Sequence, residues 1–244
     1  MSTISESLVR SCLYNWLGYG KLNSHVWIVG VEEGVLEINS GKQTLESSLS
    51  IRSTFPLAMD FREVWEDRFG IRPIKGSSPW NFSARFLLEL KNRPATDADV
   101  SSFVQNELGR VNSDHFLCEF LPLPKPGRLN MTGYERVWTN HQSYWEEVSG
   151  PRIRLIEKTL LEYPEVKLLI TYDWHFSSRV LELFPSEQLQ QWKDGKFNLY
   201  RINLNEKRNI ILLSTPFWGQ GQMSKADVPI AVKYIQEYLS VLES

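Results

Sequence analysis

The chain has 244 residues, with 42% hydrophobic and 12% aromatic side chains, and 27 Lys+Arg against 29 Asp+Glu for a net charge of −2. That length is ample to bury a core, and the charge balance supplies no global basic field for nucleic acid, leaving only local patches. No apolar run approaches the ~18–20 residues of a membrane helix, and Cys12 and Cys118 are too few for a disulfide scaffold, a four-cysteine zinc site or a four-cysteine iron–sulfur cluster. The first residues, Met1-Ser2-Thr3-Ile4, carry no basic stretch leading into an apolar one. A cytoplasmic, reducing setting with no membrane partner is therefore expected.

In chain order, Leu8, Cys12, Leu13 and Trp16 recur at helical spacing and Gly18 and Gly20 close the segment, so residues 1–25 are expected to carry a helix packed on the body. Val26-Trp27-Ile28-Val29 is a continuous apolar run of strand length. Residues 31–56, rich in Ser and Gly, read as a long functional or disordered loop. Helices follow over 57–69 and 80–91, the second with Ser78 as N-cap and Pro79 in its first turn. A further helix over 97–108 is opened by Thr96 with Asp99 three residues on. Residues 115–121 form a second strand, broken by Pro122, Pro124 and Pro126. Helical patterns cover 132–148 and 151–163, a third strand covers 166–171, and a helix lies near 177–184. Residues 197–203 and 209–214 pair as a hairpin across a polar tip, and a last helix spans 225–242 with Ser224 as N-cap. Apolar strands separated by helices predict one α/β domain over 1–244, a three-layer αβα sandwich on a mostly parallel sheet.

Ligands of such sheets bind outside the carboxyl ends of the strands. Four segments fall there: 30–34, 121–126, 172–175 and 215–222. Glu32 and Glu33, flanked by glycines, offer a carboxylate to orient water; the plainer alternative is a solvated acidic pair. Asp173 and His175 could share acid–base work, or Asp173 could simply cap the next helix. Thr215-Pro216-Phe217-Trp218 offers ring faces for a base, each stack worth ~1–3 kcal/mol, or plain core packing. Gly219 and Gly221 ahead of a helix can present N–H groups to an anion or form an ordinary turn. Basic clusters are Lys125 with Arg128, Arg152 with Arg154 and Lys158, and Lys207 with Arg208; solvated faces explain them as well. There is no phosphate loop, no nucleophile elbow and no histidine spacing for a metal. Neither metal nor cofactor is expected, and the oligomeric state is not readable.

A strand ending in Gly30-Val31-Glu32-Glu33-Gly34, a middle strand running into the Pro-rich turn Phe120-Leu121-Pro122-Leu123-Pro124, and a last strand ending in Thr215-Pro216-Phe217 together resemble the uracil-DNA glycosylase superfamily. The chain would be a divergent member with degenerate catalytic motifs: Thr215 stands where that family has His, Glu119 lies near the place of a base-reading Asn, and the first motif is acidic. The resemblance implies a hydrolase of DNA repair that takes a base out of the stack into a pocket. Glu32 or Glu33 would hold the water, Phe55, Phe217 and Trp218 would stack the base beside Thr215, and Glu119 would accept from an exocyclic amino group. Lys125, Arg128, Gly219, Gly221 and Lys225 would meet the nucleic-acid backbone. Three readings stay open: an N-glycosidic hydrolase, a non-catalytic module binding a nucleobase, nucleotide or nucleic acid on the same fold, and a small-molecule hydrolase using Asp173 and His175.

Overall fold

The computed structural model describes residues 4–206 and 208–242; the first three residues of the chain and Lys207 of the third basic cluster lie outside it. Helix α1 (Glu6–Ser11) is capped by Ser5 and leads into strands β1 (Gly18–Gly20) and β2 (Val26–Gly30). Helices α2 (Leu36–Asn39) and α3 (Leu45–Arg52) follow, then β3 (Ala58–Met59) and a π-helical turn (Glu63–Arg68). Next come α4 (Ser78–Leu90), α5 (Asp97–Asn106), β4 (His115–Glu119), α6 (His141–Glu162), β5 (Leu168–Thr171) and α7 (Trp174–Leu183). The chain closes with β6 (Ser186–Trp192), β7 (Phe197–Asn205), β8 (Arg208–Ser214) and α8 (Asp227–Leu242).

The eight strands of the described residues form one sheet in the order β3-β1-β4-β2-β5-β8-β7-β6. The inner quartet β4-β2-β5-β8 and the pair β1–β3 are parallel, while β1–β4, β7–β8 and β6–β7 pair antiparallel, so the sheet is mixed, with four of its seven pairings parallel. Its register matters for function. Gly30 pairs with Glu119, Val29 with Thr171, and Thr171 with Ser214, so the quartet ends flush and its exit loops meet at one edge.

Successive strand residues alternate between two cores, as the pleat demands. Trp27, Val29, Phe116 and Leu169 join Ile156 of α6 and Phe176 of α7 on one face. Ile28, Leu117 and Ile170 join Phe86 of α4, Phe103 of α5 and Ile235 of α8 on the other. Among the described residues no helix is long and apolar enough to cross a membrane.

Several expectations are corrected. Gly18 and Gly20 do not stop a helix; they are the strand β1, where a Cβ on Gly18 would lie 1.8 Å from the Leu117 carbonyl oxygen. Residues 31–56 are no open loop: Thr44 and Ser47 form a capping box for α3, and the buried Arg52 Nη1 binds Glu37 at 2.7 Å. The expected helix over 57–69 is a short strand and a π-helical turn. Residues 132–140 are turns, and the two helices expected to either side of Pro151 are one, α6, capped by Asn140. Helix α4 is capped by Ser77, one residue before the expected cap, whereas Thr96 and Asp99 do form the capping box of α5. The polar strand β6 had no apolar alternation to announce it.

Arg152 of α6 ties the layers together. Fully buried, it donates to the carbonyl oxygens of Phe120 (2.9 Å), Glu119 (2.7 Å), Trp16 (2.6 Å) and Leu13 (3.2 Å).

Candidate ligand crevice

Where the quartet ends, the exit loops enclose a crevice of about 1100 Å³. Its walls come from the segment after β2 (Val31, Glu32, Glu33, Gly34), the proline turn after β4 (Lys125, Arg128), the β5–α7 junction (Tyr172, Asp173, Trp174) and the loop after β8 (Thr215, Phe217, Gly221). The turn between β6 and β7 adds Lys196, and the start of β7 adds Asn198.

Glu32 and Glu33 part ways, as adjacent extended residues do. The Glu32 side chain is 6% exposed and lies 2.9 Å from Lys125 Nζ. Burial lifts its carboxyl to about 7 against the opposing pull of Lys125. Lys125 Nζ also donates to Arg128 O (2.5 Å) and sits 3.1 Å from His141 Nδ1. Burial, then Lys125 itself, pushes His141 down to about 4, so its neutral ring can accept. An ammonium has three donors, and here all three have protein partners. Lys125, expected at the nucleic-acid backbone, is a buried counter-ion instead.

Glu33 is held by Arg52 Nη2 at 2.6 Å and by the Tyr19 hydroxyl, which donates to it. Arg52 also binds Glu37 and Ser48, so Glu33 is the crevice end of a buried network that fixes α2 and α3 behind the loop.

The remaining candidates divide. Phe217 is 38% exposed on the rim, its ring centroid 6.0 Å from that of Tyr172. Thr215 lines the crevice, but its Oγ1 accepts from Trp218 Nε1 at 2.7 Å and lies 3.0 Å from Pro216 O, so the hydroxyl is engaged within the loop. Trp218 belongs to the core, stacked on Phe86 at 5.3 Å, and Phe55 is buried against Trp16 and Phe69; neither ring reaches the crevice. Glu119 is likewise off the crevice, its Oε2 buried without a hydrogen-bond partner beside Gly30 and Tyr172. Burial, and then the charges of Glu33 and Glu32, drive that carboxyl well above the usual range. Gly221 lines the crevice and Arg128 is an exposed residue on its rim, while Gly219 packs under Phe217. Lys225 points elsewhere, paired with Asp97 at 2.6 Å.

Asp173 and His175 do not form an acid–base pair. Asp173 is the N-cap of α7, its Oδ1 accepting from His175 N (2.6 Å) and Phe176 N (3.3 Å), and the His175 ring stacks on Trp174 at 3.6 Å, outside the crevice lining. Tyr172 and Trp174 lie in a segment the sequence points to without singling them out; Asn198 lies on the expected hairpin strand at 197–203 but carries no functional signal, and Lys196 sits in the turn after β6, a strand with no apolar alternation. No group of three or more His, Cys, Asp or Glu side chains fit to hold a metal occurs among the described residues. No protein-family model matches the chain, and no curated protein matches it.

Proposed function

We propose that the crevice binds a nucleobase, free or within a nucleotide or nucleic acid, and that Glu32 is the acid–base group acting on water to hydrolyse an N-glycosidic bond. The observation that carries this is a buried carboxyl at about 7 sharing one crevice with the rings of Tyr172, Trp174 and Phe217. Flat, partly exposed rings suit a base, which every base can stack on, and an acid–base group works best when it titrates near the operating pH. In the ionised form Glu32 takes a proton from water as the oxygen adds to the anomeric carbon. The base leaves with the electron pair of the C–N bond and is protonated by solvent. The likeness to the uracil-DNA glycosylase superfamily, with its three-layer sandwich and role in DNA repair, supports this reading through the shared order of loops along the chain.

Two observations favour binding without turnover as the second reading. The Thr215 hydroxyl is already engaged, and Glu32 already has a cation partner. The third reading, a hydrolase built on Asp173 and His175, loses its pair to the geometry above. The test is Glu32→Gln. Nucleobase binding, followed by ligand-observed NMR, is expected to survive, while release of free base from single-stranded oligonucleotides falls by ~100-fold or more, the usual yield of acid–base catalysis. Binding with no release by the wild-type chain would establish the second reading, and no binding of any nucleobase or oligonucleotide would sink both.

A further inference from the structure

We propose that the crevice selects bases bearing an exocyclic amino group, with Asp173 Oδ2 as the acceptor that reads it; this rests on the nucleobase reading above. Asp173 is 2% exposed and lines the crevice. All but one of its polar atoms are engaged. Its N–H donates to Thr171 Oγ1 (3.1 Å), its carbonyl oxygen accepts from Ser177 N (3.1 Å) and Ser177 Oγ (3.1 Å), and Oδ1 accepts the two amides that begin α7. Only Oδ2 is left, buried and with no hydrogen-bond partner. Of the buried unpartnered side-chain atoms among the described residues, those of Glu32 and Asp173 alone belong to crevice residues, and Glu32 Oε1 has Lys125 at 2.9 Å.

A buried polar atom without a partner is costly and rare, and in a ligand crevice it specifies what the ligand must bring. An acceptor asks for a donor. Among flat ligands that stack on Tyr172 and Phe217, cytosine and adenine carry an amino donor at the position where uracil and thymine carry a carbonyl, and guanine carries its amino group at C2. A carbonyl placed against Oδ2 would set two acceptors face to face and leave both unmatched. The acceptor is also rigid, because the bonds to Oδ1 and the backbone fix the carboxylate plane before any ligand arrives.

The experiment measures binding of cytidine, uridine and N4,N4-dimethylcytidine to the full chain and to Asp173→Asn by ligand-observed NMR at pH 7.5. For the wild-type chain, cytidine is expected to bind about tenfold or more tighter than uridine or the dimethyl analogue, which has lost its N–H donors. In Asp173→Asn the amide oxygen must keep capping α7, so the NH2 faces the crevice and the preference turns toward uridine. Equal binding of the three nucleosides by the wild-type chain overturns the proposal and leaves the nucleobase reading standing, whether or not the variant folds. A folded Asp173→Asn chain with an unaltered preference overturns it too. No binding of any nucleoside or of a mixed-sequence single-stranded oligonucleotide overturns the nucleobase reading itself.

Discussion

At Glu32 two forces of opposite sign meet: burial, which resists the charge, and Lys125 at 2.9 Å, which favours it. Burial wins by enough to hold the group at about 7, against ~4.3 in an unfolded chain. The folded state therefore binds the Glu32 proton more tightly than the unfolded state. The contribution to stability is fully present below about pH 4 and is lost as pH rises toward 7, amounting to ~3 kcal/mol. Urea unfolding of wild type and Glu32→Gln across pH 4 to 8 is expected to show the wild type losing that much relative to the variant; parallel pH profiles would refute the assignment. Lys125→Met removes the cation, so the Glu32 midpoint read by carboxyl NMR should move above 7, at a stability loss of ~3–5 kcal/mol typical of a broken buried pair. The two cysteines sit at the other extreme. Burial pushes the Cys12 thiol up to about 11 and that of Cys118 up to about 12, so neither should react with a thiol reagent at pH 8 until urea unfolds the chain.

Between single residues and the whole lie the elements, and some of these are held by one contact. Arg52 on α3 reaches back to Glu33 and Glu37, so it fastens α2, α3 and the crevice loop at once. Arg52→Met strands two buried carboxylates and is expected to cost ~3–5 kcal/mol in urea unfolding at pH 7, with Glu33 released into the crevice. A near-neutral result would show the network to be dispensable. Gly18→Ala presses a methyl group onto the Leu117 carbonyl and should unpair β1 from β4, visible as fast hydrogen exchange at Glu119 N, which bonds Leu17 O in the folded chain. The same elements explain what a sequence reveals. The strand at 26–30 and the helix after Thr96 announce themselves locally, by an apolar run and by a capping residue. Helix α3 is held by Arg52 and its remote acids, and the edge strand β6 by Trp192 stacking on Phe197; neither force leaves a local pattern. The crevice was legible as a set of loops because topology places loops at strand ends. Which side chains face it was not, since that depended on partners: Lys125 found Glu32, Trp218 found Phe86, and Lys225 found Asp97.

For the molecule as a whole, the charge of −2 now has a location attached. With Lys125 and Lys225 engaged, the crevice keeps Arg128 and Lys196 as exposed cations. Two phosphate contacts give a slope of log affinity on log salt of about −1.4 for single strands, at roughly −0.7 each. Fluorescence anisotropy with a labelled oligonucleotide between ~50 and ~200 mM salt should find that shallow slope; one several times steeper would mean a backbone path not described by these two residues.

Arg152 sets a timetable for this chain as it leaves the ribosome. Its guanidinium gathers carbonyls from residues 13, 16, 119 and 120, so the first twenty residues have no finished place until the middle of the chain has been made. Strand β2 likewise waits for β4, its neighbour some ninety positions on. Long-range pairing of this kind slows folding and leaves early segments exposed meanwhile. In pulse-labelled refolding, the amide of Glu119, which bonds Leu17 O, should gain protection late, after the helices α4 and α5, which pack on each other; early protection of Glu119 would contradict that order.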